Sequence, residues 1–144
     1  MFMRVIRCYA RMCQKAVAGP FAVLAEVPHR QFAWTRGKPA TFQSSTRAVR
    51  DFCAACGTPL SYRHPEGSII ELLTGAFDQP VRVPPSYATA PEAMLPWLAS
   101  VAALPGKTIT GSSAGSLISF QHPRSRHPPR LAAANGTARR LRLA

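Results

Sequence analysis

Two cysteine pairs carry the chemistry this sequence can offer. RCYARMCQKA (7–16) sets Cys8 and Cys13 five positions apart among basic residues, and DFCAACGTPL (51–60) sets Cys53 and Cys56 three apart. Thiolate sulfur binds zinc, and a Cys-x-x-Cys spacing lets both sulfurs reach one ion at about 2.3 Å. Gly57, directly after Cys56, suits such a turn, because glycine takes positive φ without steric cost. Taken alone, the pair also fits a redox dithiol or two small packed residues. A thioredoxin-like dithiol belongs in a βαβ unit, which the sequence around 53–56 does not supply, so metal is the favoured reading. Cys8 and Cys13 bring the thiols to four, the number in a tetrahedral structural zinc site. Their four intervening residues lie at the loose end of ligand spacing, and the alternative for Cys8 is an unpaired thiol in a frayed N-terminus.

Other polar residues form no comparable pattern. His29, His64, His122 and His127 each stand beside proline or arginine, without ligand spacing to one another, and read as solvated loop or tail residues. Asp51 and Asp78 make no evident acid–base pair, and Ser44-Ser45 lacks the glycines of a nucleophile elbow. Trp34, Phe42 and Trp97 read as core or pocket-rim aromatics, with core preferred.

The 144 residues fit one domain, and 47% hydrophobic content is enough to bury a core. Fourteen prolines, about twice average usage, disfavour long helices because each removes a backbone donor. The formal charge of +12 is unevenly placed: residues 1–15 contribute +4, residues 124–144 contribute +6, and the stretch between them only +2. Basic ends of this kind attract phosphate backbones without specificity, or are simply solvated. Nucleic acid is therefore expected only as a non-specific partner of the ends, if at all. No run approaches the roughly 18 apolar residues of a membrane helix, and MFMRVIR is not followed by the apolar run of a secretory signal. No membrane partner is expected, and a reducing, cytoplasmic location is the working expectation.

Short strands and turns must position the thiols. FAVLAEV (21–27), ATFQS (40–44), RAVRDF (47–52), LSYR (60–63) and SIIELLT (68–74) read as strands, the last two joined by the turn HPEG (64–67). EAMLPWL (92–98) has room for a helical turn limited by Pro96. Gly, Ser and Thr dominate 106–116, as in a flexible linker, before a strand candidate at 116–121. The expected compact unit runs over about 16–121. The fold class is mainly β: zinc-associated antiparallel sheets with short helical turns in a single domain.

The strings CQKAVAGPFAVLAEVP, FAWTRGKPATFQSS, RDFCAACGTPLSYR, LLTGAFDQP and LPW, in that order, resemble the glutathione-dependent formaldehyde-activating enzyme family, which includes the centromere protein V type of domain. The resemblance spans about residues 7–123, with 1–15 a divergent N-terminal segment and 124–144 a basic tail. It implies a mainly β fold with two zinc sites, and the small thiol glutathione and a small aldehyde as partners. The implied activity is that of a carbon–sulfur lyase, in which a zinc-activated thiolate and formaldehyde form a hydroxymethyl thioether. By position, Cys53 and Cys56 match half of the structural site, whose other half is an early Cys-x-Cys without a counterpart here. Cys8 and Cys13 match the first and last cysteines of a catalytic Cys-His-Cys-x-x-Cys segment. Tyr9 stands where histidine is usual, and Ala10 where the middle cysteine belongs. Three of seven thiolates of the family pattern are thus missing. The arginine-rich ends, in a chain with 15 Arg and 3 Lys, fit a truncated start or a shifted reading frame. The expectation is a truncated or divergent member holding zinc at Cys8, Cys13, Cys53 and Cys56. Loss of activity, or a non-catalytic zinc-fold or basic polymer-binding role, is the alternative.

Overall fold

The computed structural model describes residues 4–35 and 37–107. The strand candidate at 116–121 and the basic tail lie outside the described residues. Seven strands form one sheet: β1 (Val5–Cys8), β2 (Ala22–Pro28), β3 (Ala40–Ser45), β4 (Ala48–Phe52), β5 (Pro59–Arg63), β6 (Ile69–Leu73) and β7 (Tyr87–Thr89). Their order is β3-β4-β5-β6-β2-β1-β7. Every pairing is antiparallel except β1 with β7, so the expected antiparallel sheets are a single mixed one. A seven-residue helix, α1 (Arg11–Val17), and five short 3₁₀ segments complete the described fold.

Side chains alternate faces along a strand, and here both faces of the central strands are buried. Val5 on β1, Ala25 and Val27 on β2, and Ile70 and Leu72 on β6 pack with Phe77 and Val83 from the turns after β6. Ile6 and Cys8 on β1, Ala22 and Leu24 on β2, and Leu73 pack on a second cluster with Cys13 from α1. This double coverage explains why FAVLAEV is a near-continuous apolar run rather than an alternating one.

The segment 1–15 is integral to this sheet. Val5, Ile6 and Cys8 are buried, with Cys8 opposite Ala22, which rules out a frayed, unpaired Cys8. The compact unit therefore starts well before residue 16. Two of the basic residues in that head are engaged within the chain. Arg4 pairs with Glu26 at 2.6 Å, and the Arg7 guanidinium lies over the rings of Tyr9 and Phe21. The stretch 92–98 is split between two 3₁₀ segments, Pro91–Ala93 and Pro96–Ala103, and Pro96 opens the second, since its fixed φ and missing N–H are tolerated at a first helical position. Trp97 and Phe42 are more exposed than core residues, at 54% and 62%. Among the described residues no helix is long and apolar enough to cross a membrane.

Candidate functional site

Strand β1 delivers Cys8 at its buried end, and the chain turns at once into α1, whose first turn brings back Cys13. The two sulfurs are 3.2 Å apart and buried. Helix α1 is too short to be stable alone and has no side-chain cap at Ala10. Gln14 fastens it instead. Its buried amide donates to the carbonyls of Tyr9 at 2.8 Å and Ala93 at 3.0 Å, joining strand, helix and a later 3₁₀ turn. Ala18, with φ 49°, closes the helix through its own N–H.

Arg50 reaches this pair from β4. One guanidinium nitrogen lies 3.9 Å from Cys13 Sγ, and the group sits 4.8 Å from the centre of the Tyr62 ring. Burial pushes the Cys13 thiol up to about 11, with Cys8 adding to the rise and Arg50 opposing it. At neutral pH Cys13 is therefore a thiol rather than a thiolate. Tyr9, in the place where the resemblance calls for histidine, is 2% exposed and packed edge-on against Phe21 at 5.7 Å. It fills the core. Ala10 packs against the same cluster as both cysteines.

The Cys53–Cys56 turn joins β4 to β5. The Cys53 N–H donates to Thr58 O at 2.9 Å, and the Gly57 N–H to Cys53 O at 2.8 Å. Gly57 has φ +75°, a conformation that L side chains rarely adopt. Cys56 Sγ and the Thr58 hydroxyl share a hydrogen bond at 3.0 Å. That hydroxyl, the Thr58 backbone and the Cys53 thiol favour the thiolate and lower Cys56 below the ordinary thiol range, against a smaller burial effect. A bulge between Asp51 and Phe52 re-aims β4 just before the turn.

Asp51 anchors the base of this turn. Its buried carboxylate accepts from Ser61 at 2.5 Å, Thr41 at 3.0 Å and Arg63 Nε at 3.0 Å. Burial alone would raise its pKa, but the hydrogen bonds of Arg63, Ser61 and Thr41 outweigh it and hold the carboxyl below its ordinary value. On the facing strands Glu26 lies directly opposite Glu71. Burial first, then Glu26, raises the Glu71 carboxyl.

Zinc with four sulfurs at about 2.3 Å places them about 3.8 Å apart. The 3.2 Å Cys8–Cys13 separation is within a small side-chain rotation of that value, so the pair fits in chemistry. It falls short in number. Among the described residues no group of three or more His, Cys, Asp or Glu side chains comes together in a way that could hold a metal. The four cysteines thus form two separate two-thiol pairs, and neither is a complete tetrahedral donor set. His29 and His64 are exposed, and the His64 ring meets the Arg47 carbonyl and Tyr62. His122 and His127 lie outside the described residues.

Sequence reasoning missed the cleft between these pairs. About 450 Å³ in volume, it lies between α1 (Met12 and Lys15), strands β3 and β4 (Phe42 and Arg50), Gly57 of the Cys-x-x-Cys turn and Pro59 at the start of β5. A second hollow of about 420 Å³ shares Val17, Pro59 and Leu73 with it and includes Thr58. Lys15 and Arg50 are 35 positions apart, and only the fold brings them to one cavity. Arg50 carried one sequence signal, as a cation on a strand otherwise destined for the core.

A sequence model described as glutathione-dependent formaldehyde-activating enzyme matches residues 2–92. Comparisons with curated proteins and with solved structures gave no match. The matched span includes both cysteine pairs, α1 and each of the described strands.

Proposed function

The chain belongs to the glutathione-dependent formaldehyde-activating enzyme family, and from that premise we propose that the cleft between α1 and β4 binds glutathione and its formaldehyde adduct. The observation that carries this reading is the pairing of two cations, Lys15 and Arg50, in one cavity beside a buried thiol. Glutathione presents two carboxylates and a thiol. Arg50 and Lys15 match the anionic ends, while Met12 and Phe42 offer apolar contact at the mouth, where both are exposed.

Adduct formation joins the glutathione sulfur to the formaldehyde carbon, and the carbonyl oxygen takes up a proton. A neighbouring cation favours the thiolate that must attack, and Arg50 is placed for that role as well as for carboxylate binding. In the family, zinc supplies thiol activation. What zinc this chain holds falls to Cys8 with Cys13, two of the three thiolates of the family's catalytic site, and to Cys53 with Cys56, two of the four of its structural site. With those donors missing, carbon–sulfur lyase activity is expected to be well below that of a member with all its thiolates.

Calorimetric titration with S-methylglutathione tests the reading, because this analogue keeps both carboxylates and cannot react at sulfur. The expected result is saturable binding that Arg50→Ala weakens about 10-fold or more, the scale of one charge-assisted contact of about 1.5–3 kcal/mol. Binding that is absent, or that Arg50→Ala and Lys15→Ala leave unchanged, would overturn it.

A further inference from the structure

The Cys53–Cys56 turn has the attributes of a reactive dithiol as well as those of half a metal site. Both cysteines are partly exposed, whereas Cys8 and Cys13 are buried. The backbone bonds from Cys53 and Gly57 close the turn, so that both sulfurs belong to one short loop. Ala54 and Ala55, at the tip, are exposed and put no bulky side chain between the pair and solvent. The Thr58 hydroxyl lies 3.0 Å from Cys56 Sγ, in hydrogen-bonding contact with it. Gly57 and Pro59 of the same loop line the main cleft, and Thr58 lines the adjoining one.

We propose that Cys53 and Cys56 form a redox-active dithiol that exchanges with glutathione disulfide at the rim of the cleft. Cys56, as thiolate, attacks one sulfur of the disulfide. The S–S bond breaks, one glutathione leaves as thiolate, and a mixed disulfide remains on Cys56. Cys53, on losing its proton, then attacks Cys56 Sγ and releases the second glutathione. Two cysteine thiols are oxidised to one disulfide, one glutathione disulfide is reduced to two thiols, and the reverse steps restore the pair. The surrounding fold is a β-turn rather than a βαβ unit, so the device differs in architecture from a thioredoxin. Only the choice of glutathione as the disulfide's parent thiol rests on the cleft reading above.

Trypsin separates the thiols conveniently. Asp51–Arg63 carries both members of this pair, while Cys8 and Cys13 fall on different peptides, 8–11 and 12–15. The full chain is equilibrated with mixtures of reduced and oxidised glutathione, quenched with acid, alkylated, digested and weighed. The expected result is an Asp51–Arg63 peptide that converts reversibly to a form lighter by two hydrogens as the oxidised fraction rises. Cys53→Ser should accumulate the glutathione mixed disulfide on Cys56. Thr58→Val should slow mixed-disulfide formation about 2- to 10-fold, the scale of one hydrogen bond. A peptide that stays fully alkylatable at every ratio would overturn the proposal, as would a wild-type chain that stops at the mixed disulfide. A pair that cycles in a chain that fails to bind S-methylglutathione supports the dithiol and overturns the cleft reading alone.

Discussion

Ala10→Cys is the change that most sharply probes the Cys8–Cys13 pair. Ala10 is the N-cap of α1, with non-helical φ −50° and ψ 137°, and makes no side-chain capping bond that substitution would lose. It already packs against the cluster holding both sulfurs, so a thiol there is a third donor beside a pair 3.2 Å apart. Zinc binding in small structural sites is worth roughly 10–16 kcal/mol over four ligands, or about 2.5–4 kcal/mol per ligand if shared evenly. One added thiolate should therefore tighten zinc by about two to three powers of ten. Competition against a chromophoric chelator at neutral pH measures this directly, with Ala10→Ser as the control for polarity and size. A gain below about 10-fold, or an equal gain from serine, would refute the argument that a missing thiolate limits this site. Tyr9 should be left alone in the test. At 2% exposure and packed on Phe21, its loss would confound ligand gain with core damage.

Three further outcomes follow from the site's electrostatics. Asp51→Asn breaks a pair whose carboxylate is 1% and whose arginine is 24% exposed. It should cost about 3 kcal/mol, the lower end for a broken buried pair, seen as a lower denaturant midpoint with unchanged slope. Because Asp51 is depressed in the folded state, its stabilisation is complete above the unfolded carboxylate range near pH 3.9 and lost as pH falls through the folded value. Wild type and Asp51→Asn should therefore converge in acid melts. Glu71 runs the opposite way: its raised carboxyl stabilises the fold below the unfolded value near pH 4.3, and that contribution is lost as pH rises. Glu71→Gln should thus stabilise at neutral pH by about 0.2–1 kcal/mol, the scale of opposed like charges on paired strands, and lose that advantage in acid.

The strands most legible in the sequence were those with apolar runs bounded by turn residues. FAVLAEV is read because β2 is buried on both faces, and HPEG because a glycine at 67 closes a turn onto the His64 carbonyl. The N-terminal strand was hidden by its charges. Arg4 and Arg7 flank Val5 and Ile6 and look like a solvated head, yet one pairs with Glu26 and the other lies on two aromatic rings. Helix α1 was equally hidden, since its sequence RMCQKAV buries only Cys13 and Gln14 and owes its placement to a glutamine reaching the Ala93 carbonyl 79 positions away. Three-residue β7 lies in a proline-rich stretch and is held by parallel pairing with β1. The cysteines were visible by type and spacing. Arg50 beside Cys13 and the cleft were not, because they depend on how β3 and β4 sit against α1, and Thr58 beside Cys56 was not, because it depends on the local conformation of the turn.

Zinc content measured on the purified full chain, after dialysis against a mild chelator, bears most directly on the central claim that four cysteines make two separate two-thiol pairs. The account predicts well under one tightly held zinc per chain at neutral pH, with Ala10→Cys raising that value. Two zinc ions retained per wild-type chain would contradict it.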